Sequence, residues 1–70
     1  MNPSITVFVN GEARTVPSGQ PLAELVDALA KSRSGVAAAV DGEVVPRAAW
    51  PGHRLSEGAK VEILTAVQGG

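Results

Sequence analysis

The sequence has no cysteine, one histidine, one tryptophan and one phenylalanine among its 70 residues. The missing thiols exclude a disulfide scaffold, a Cys-ligated zinc site and any sulfur chemistry carried on a side chain. A lone imidazole would leave a metal site to carboxylates, and these are not clustered along the chain. Few aromatics against a hydrophobic content of 44% imply an aliphatic core of Val, Leu, Ile and Ala, and argue against a disordered chain. Basic residues are not in excess: Lys+Arg number 6 and Asp+Glu 7, a net charge of -1. No cationic field is available to hold a phosphate backbone, so nucleic acid is not an expected partner. No apolar run approaches the roughly 18 residues of a membrane span, and the N-terminal residues lack the basic and hydrophobic regions of a secretory signal. The expected setting is the cytoplasm, with no membrane contact. A chain this short buries only about 60% of its unfolded surface, so one small domain is expected.

Two periodicities organise the chain. Ile5, Val7 and Val9 alternate with Thr6 and Phe8, which predicts a strand with two distinct faces. Asn10-Gly11 follows as a two-residue hairpin signal, because both residues accept positive φ, and Glu12 to Val16 alternates as the returning strand. Pro17 and Gly19 interrupt the pattern. From Pro21 the spacing becomes helical: Leu22, Leu25, Val26 and Leu29 line one side of a helix expected to reach Ala30 or Lys31. Pro21 suits its first turn, with Glu24 near the positive end of the dipole and Lys31 near the negative end.

Val36 to Val40 predicts a third strand, Asp41-Gly42 a second hairpin turn, and Glu43 to Val45 a short return that Pro46 ends. Arg47 to Arg54 reads as irregular, with Leu55 anchoring it to the core. A turn at Glu57-Gly58 precedes a final strand from Lys60 to Ala66, in which Val61, Ile63 and Thr65 face one way and Glu62, Leu64 and Ala66 the other. The order of hairpin, helix, short hairpin, turn and strand implies an α+β fold, a sheet with one main helix crossing one face. The other face is left open. Phe8, Leu64 and Ala66 fall on the set opposite the regular aliphatic positions and are expected to form an exposed apolar strip suited to a partner.

The stretch Val67-Gln68-Gly69-Gly70 calls for a different explanation. Neither glycine offers a side chain to a core or a ligand, whereas a backbone that threads a narrow slot wants this composition. Residues 1–66 are therefore expected to form the folded domain and residues 67–70 a flexible tail with Gly70 as its reactive end. Four extended residues reach roughly 13 Å, enough to enter the active site of another protein. A carboxylate on Gly70 is a poor acyl electrophile at neutral pH, but an ATP-using partner could convert it to an acyl adenylate that a sulfur nucleophile attacks. The resulting thiocarboxylate carries sulfur with no cysteine in the carrier.

The remaining polar residues support less. His53 has no acid or nucleophile beside it and reads as a surface or turn-packing residue. Trp50 reads as a cover for one end of the core, since no Arg or Lys groove accompanies it. Ser4, Ser32 and Ser34 lack neighbours that would activate a hydroxyl. Arg47 and Arg54 read as solvated. Gly11, Gly42 and Gly58 belong to turns, and no phosphate-binding glycine motif is present. Intrinsic enzymatic activity is not expected.

Taken together, V-N-G-E at Val9 to Glu12, V-D-G-E-V-V-P-R at Val40 to Arg47 with Trp50, R-L at Arg54-Leu55, G-A-K-V-E-I-L at Gly58 to Leu64 and the closing T-A-V-Q-G-G resemble the ThiS family of sulfur carriers in thiamine biosynthesis. The resemblance spans essentially the whole chain. Asp41 stands where the family commonly has asparagine, a change that keeps the turn chemistry. The resemblance implies a β-grasp (ubiquitin-like) fold, a mixed sheet packed on one main helix. It also implies that Gly70 is adenylated by a ThiF-type enzyme using ATP and Mg2+ bound by that partner, with no cofactor on this chain. Sulfur would come from cysteine through sulfur-relay proteins, and a ThiG-type thiazole synthase would receive it. Val67, Gln68 and Gly69 would be the threaded tail, with Phe8 and Leu64 on the docking face. The small subunit of molybdopterin synthase resembles the chain in the same features. A protein modifier that forms an isopeptide bond through Gly70, and a noncovalent interaction module, are the other readings.

Overall fold

The computed structural model describes residues 3–30 and 35–65. Five strands and one α-helix follow in the order β1 (Ser4–Val9), β2 (Glu12–Pro17), α1 (Leu22–Leu29), β3 (Val36–Val40), β4 (Glu43–Val45) and β5 (Lys60–Thr65), with a 3-10 helix at Arg47–Gly52 before β5. The sheet order is β2-β1-β5-β3-β4. Each hairpin pairs antiparallel, β3 pairs antiparallel with β5, and β1 runs parallel to β5. The sheet is therefore mixed, and the last strand in sequence lies at its centre.

Both hairpins turn through the expected residues. Asn10 and Gly11 have φ of 50° and 87°, and Asp41 and Gly42 have 52° and 86°. Positive φ at both central positions matches the twist of the flanking strands, and Asn, Asp and Gly tolerate it at low cost. The first residue of each turn also reaches β5. The Asn10 backbone N–H donates to Val61 O at 2.8 Å, and its side chain then takes the place of a further strand residue: Nδ2 donates to Ile63 O at 3.2 Å and Oδ1 accepts from Ile63 N–H at 3.0 Å. Asp41 bonds similarly one level lower, its N–H donating to Lys60 O at 2.7 Å and its Oδ1 accepting from Lys60 N–H at 3.0 Å. Asn10 needs both an amide donor and an acceptor here. Asp41 needs only an acceptor, so the carboxylate at that turn leaves the pairing intact.

The core lies between α1 and one face of the sheet. Leu22, Ala23, Leu25 and Val26 of the helix pack with Val7, Val9, Val16, Ala38, Val40, Val45, Val61 and Ile63 of the strands. No polar side chain is buried among the described residues. The helix ends at Leu29 with Ala30 as its C-cap, and Pro21 occupies the extended N-cap position, one residue before the first turn in which it was expected. Lys31 lies outside the described residues, as do Ser32 and Ser34. No side chain caps the helix start; the Leu22 N–H donates instead to His53 O at 2.7 Å, so a tertiary bond satisfies one of the free helical donors.

The second strand ends at Pro17, one residue beyond the expected Val16, with Pro17 pairing with Ser4; β2 is an edge strand, where a missing ladder donor is tolerated. One expectation is corrected. The stretch after Pro46 is not irregular: Arg47–Gly52 winds into a 3-10 helix that turns Trp50 inward. Trp50 is 1% exposed, the largest fully buried side chain, and its indole N–H donates to Val45 O at 2.8 Å. Leu55 is buried as expected, and the Arg54 guanidinium donates to Gly19 O at 3.0 Å, clasping the approach to α1. No helix among the described residues is long and apolar enough to cross a membrane.

The two turns make separable predictions. Asn10→Asp removes the donor to Ile63 O and should lower the unfolding free energy by about 1–2 kcal/mol, whereas Asp41→Asn keeps its acceptor and should change it by less than about 0.5 kcal/mol. Urea unfolding of both variants checks this, and equal losses would show that the Asn10 amide donor contributes nothing.

Candidate functional site

Alternation along β5 sends Val61 and Ile63 into the core and leaves Lys60, Glu62 and Leu64 on the opposite face. The register extends that face across the sheet. Phe8 lies beside Lys60 and opposite Ala13, Glu62 lies opposite Ala39, Ala37 lies opposite Leu64, and Ala39 in turn lies opposite Val44. Phe8 is 40% exposed and Leu64 67% exposed. Both line one open groove of about 600 Å³, together with Asn10, Gly11, Lys60 and Glu62. The two apolar residues expected to share a strip are thus brought to one surface, with β5 as its floor.

The alternation left two features of this face unnoticed. Val44 is 77% exposed, the most exposed large hydrophobic residue among those described. Its position could have been read from its neighbour: Val45 is buried under Trp50, so Val44 must point to the other face. The second feature is the alanine content of Ala13, Ala37 and Ala39, which keeps the surface low between the larger groups. Only the register places these residues together.

Among the described residues no group of three or more His, Cys, Asp or Glu side chains is placed to hold a metal ion. His53 is half-buried after the 3-10 helix, and its carbonyl serves the helix start. The expected threading residues Val67, Gln68 and Gly69 and the expected reactive Gly70 lie outside the described residues, as does Ala66 of the strip. The described part of the chain that leads to them is β5, whose last residue, Thr65, pairs with Val36.

A five-stranded mixed sheet with its last strand central, packed on one helix, defines a β-grasp, ubiquitin-like protein. The solved structure of a thiamine biosynthesis protein (ThiS) from Geobacter metallireducens shares it at a TM-score of 0.77 and 30% sequence identity, covering 94% of this chain and 100% of that one. The sulfur carrier protein ThiS of Escherichia coli (strain K12) is 28% identical over 64 residues, which are 91% of this chain and 97% of that protein. The ThiS family model matches residues 7–70. The chain belongs to the ThiS family.

Because one sheet face holds the fold and the other carries the groove, their stabilities should separate. Leu64→Ser should change the unfolding free energy by no more than about 0.5 kcal/mol, while Ile63→Ser, one residue away, should cost about 3 kcal/mol or more. Comparable losses in denaturant titrations would mean that the groove face contributes to folding after all.

Proposed function

We propose that this protein is a sulfur carrier for thiazole formation in thiamine biosynthesis, with a thiocarboxylate on Gly70 as the carried group. The observation that supports this most directly is the family match, which runs through residue 70 and takes in Gly69 and Gly70. The name of the Escherichia coli relative, a sulfur carrier, supports the same reading.

The chemistry asks little of the side chains. With the Gly70 carboxylate free, one of its oxygens attacks the α-phosphorus of ATP in a ThiF-type adenylating enzyme, and pyrophosphate leaves. The acyl adenylate is a good electrophile because AMP is a stable leaving group. The terminal sulfur of a persulfide on a relay protein adds to the carbonyl carbon and AMP departs, giving an acyl disulfide. A thiol on the relay then attacks the relay-side sulfur, breaking the S–S bond, so that the thiocarboxylate leaves and the relay is left with a disulfide. A ThiG-type thiazole synthase then accepts the sulfur. ATP and Mg2+ belong to the activating partner, whose cationic groups offset the charge developing on phosphate.

This chain contributes the handle and the thread. The groove face with Phe8 and Leu64 docks on the partner, and Val67, Gln68 and Gly69 enter its active site. Glycine at position 69 presents no side chain to the walls of a narrow channel. The fold stays outside, so one carrier can serve successive partners.

Incubation with the activating enzyme, ATP and a sulfur source should raise the intact mass by about 16 Da, sulfur replacing one oxygen. Deleting Gly70 should abolish that gain and leave the thermal unfolding midpoint unchanged. Gly69→Leu should slow sulfur acceptance without a comparable loss of stability. Conjugates on target lysines in place of the mass gain would replace the carrier reading with that of a protein modifier.

A further inference from the structure

The open face carries more than Phe8 and Leu64. Val44, Ala39 and Glu62 form one row across β4, β3 and β5, so the apolar surface continues from the groove to the sheet edge. Within it β5 sets two charges of opposite sign on the same face, Lys60 and Glu62, both exposed. Their spacing of two strand residues is roughly 7 Å. No ion pair holds either side chain among the described residues. Glu62 is bordered by Leu64 along the strand, by Ala39 across β3 and by the Asn10-Gly11 turn on the other side.

We propose that this surface extends over Val44 and that the Lys60–Glu62 pair sets the orientation of the docked partner. The occupant is a protein surface with an apolar patch that carries a cation placed over Glu62 and an anion placed over Lys60. This rests on the reading of the open face as the docking face and adds which chemistry it selects. Apolar contact between Phe8, Leu64, Val44 and a partner supplies affinity but little direction. Two opposite charges along one strand supply the direction, because a partner turned by half a rotation would set like charge against like. The carboxylate has most at stake: covering the alanine floor removes its water, so an unmatched Glu62 opposes docking. A second copy of the chain is a poorer match, since a two-fold contact crossing Lys60 with Glu62 lays Phe8 against the Asn10-Gly11 turn and not against an apolar group.

The test is calorimetric affinity for the ATP-dependent activating enzyme of the same organism. It compares the parent chain with Glu62→Lys, Glu62→Gln, Val44→Asp and Leu64→Asp, each first shown by its melting curve to be folded. Glu62→Lys should weaken binding at least about tenfold. Glu62→Gln should weaken it about threefold and flatten its salt dependence, and Val44→Asp should weaken it about fivefold. The proposal is overturned if either Glu62→Lys or Val44→Asp binds within about twofold of the parent while Leu64→Asp binds poorly; the docking face then stands without this key. Unchanged binding by Leu64→Asp as well would remove the docking face itself. A dimer of the parent chain that Glu62→Lys dissociates would place a second copy on the face and also overturn the proposal.

Discussion

The insertion of β5 between β1 and β3 is the constraint on which everything else in this fold depends. β5 must form a parallel ladder on one side and an antiparallel ladder on the other, with residues about fifty positions earlier on the β1 side. Closing so long a loop costs chain entropy before any contact repays it. The hairpin turns reduce that difficulty by serving as docking points. Asn10 and Asp41, already held at positive φ by their own hairpins, present backbone and side-chain groups to Lys60, Val61 and Ile63. The direct parallel register covers only Phe8 with Lys60 and Val9 with Val61, and the Asn10 amide carries the pairing past the end of β1. Without that extension the last part of β5 would be held on the β3 side alone.

The covered face meets a second constraint, the small amount of material available to fill it. Valine and alanine supply most of the core, and such side chains leave space between a helix and a twisted sheet. The 3-10 helix resolves this by delivering Trp50, whose indole fills volume while its N–H satisfies Val45 O. Hydrogen bonds from Leu22 N–H to His53 O and from Leu55 N–H to Gln20 O, with the Pro21–Arg54 bridge, join this segment to the helix start. The helix that lacks a side-chain cap is therefore anchored by the segment that brings in the tryptophan.

A sheet covered by a single helix leaves its second face free of folding duties, and the proposed function uses that freedom. Phe8, Leu64 and Val44 can remain exposed because Val7, Ile63 and Val45, their neighbours in sequence, are buried. The period of two along a strand gives each adjacent pair one structural and one available residue. β5 takes part in both: it is the central strand of the core, it carries Lys60, Glu62 and Leu64 on the open face, and it is the element from which the chain continues toward Gly70.

How much of this was legible in the residues follows from the range of each interaction. Hairpins at Asn10-Gly11 and Asp41-Gly42, the amphipathic helix and the two-faced strands depend on neighbours within a few positions, and the chain by itself determined them. Gly69-Gly70 and the family resemblance were equally a matter of local text, and so was the exposure of Phe8 and Leu64. That Pro17 still pairs with Ser4, one residue past the expected strand end, depends on β2 lying at the sheet edge, and sheet order is not a local property. The order of Arg47–Gly52 escapes a local pattern because it is tied to the burial of Trp50 and to the hydrogen bonds that join His53 and Leu55 to the helix start. The second role of Asn10, as a surrogate strand residue against Ile63, could not be inferred from a turn motif. Nor could the row of Glu62, Ala39 and Val44, whose members lie on three separate strands. Local pattern accounts for the five strands, the two hairpin turns and the α-helix, whereas the register across the sheet belongs to the fold, because it is set by contacts between residues far apart in the chain.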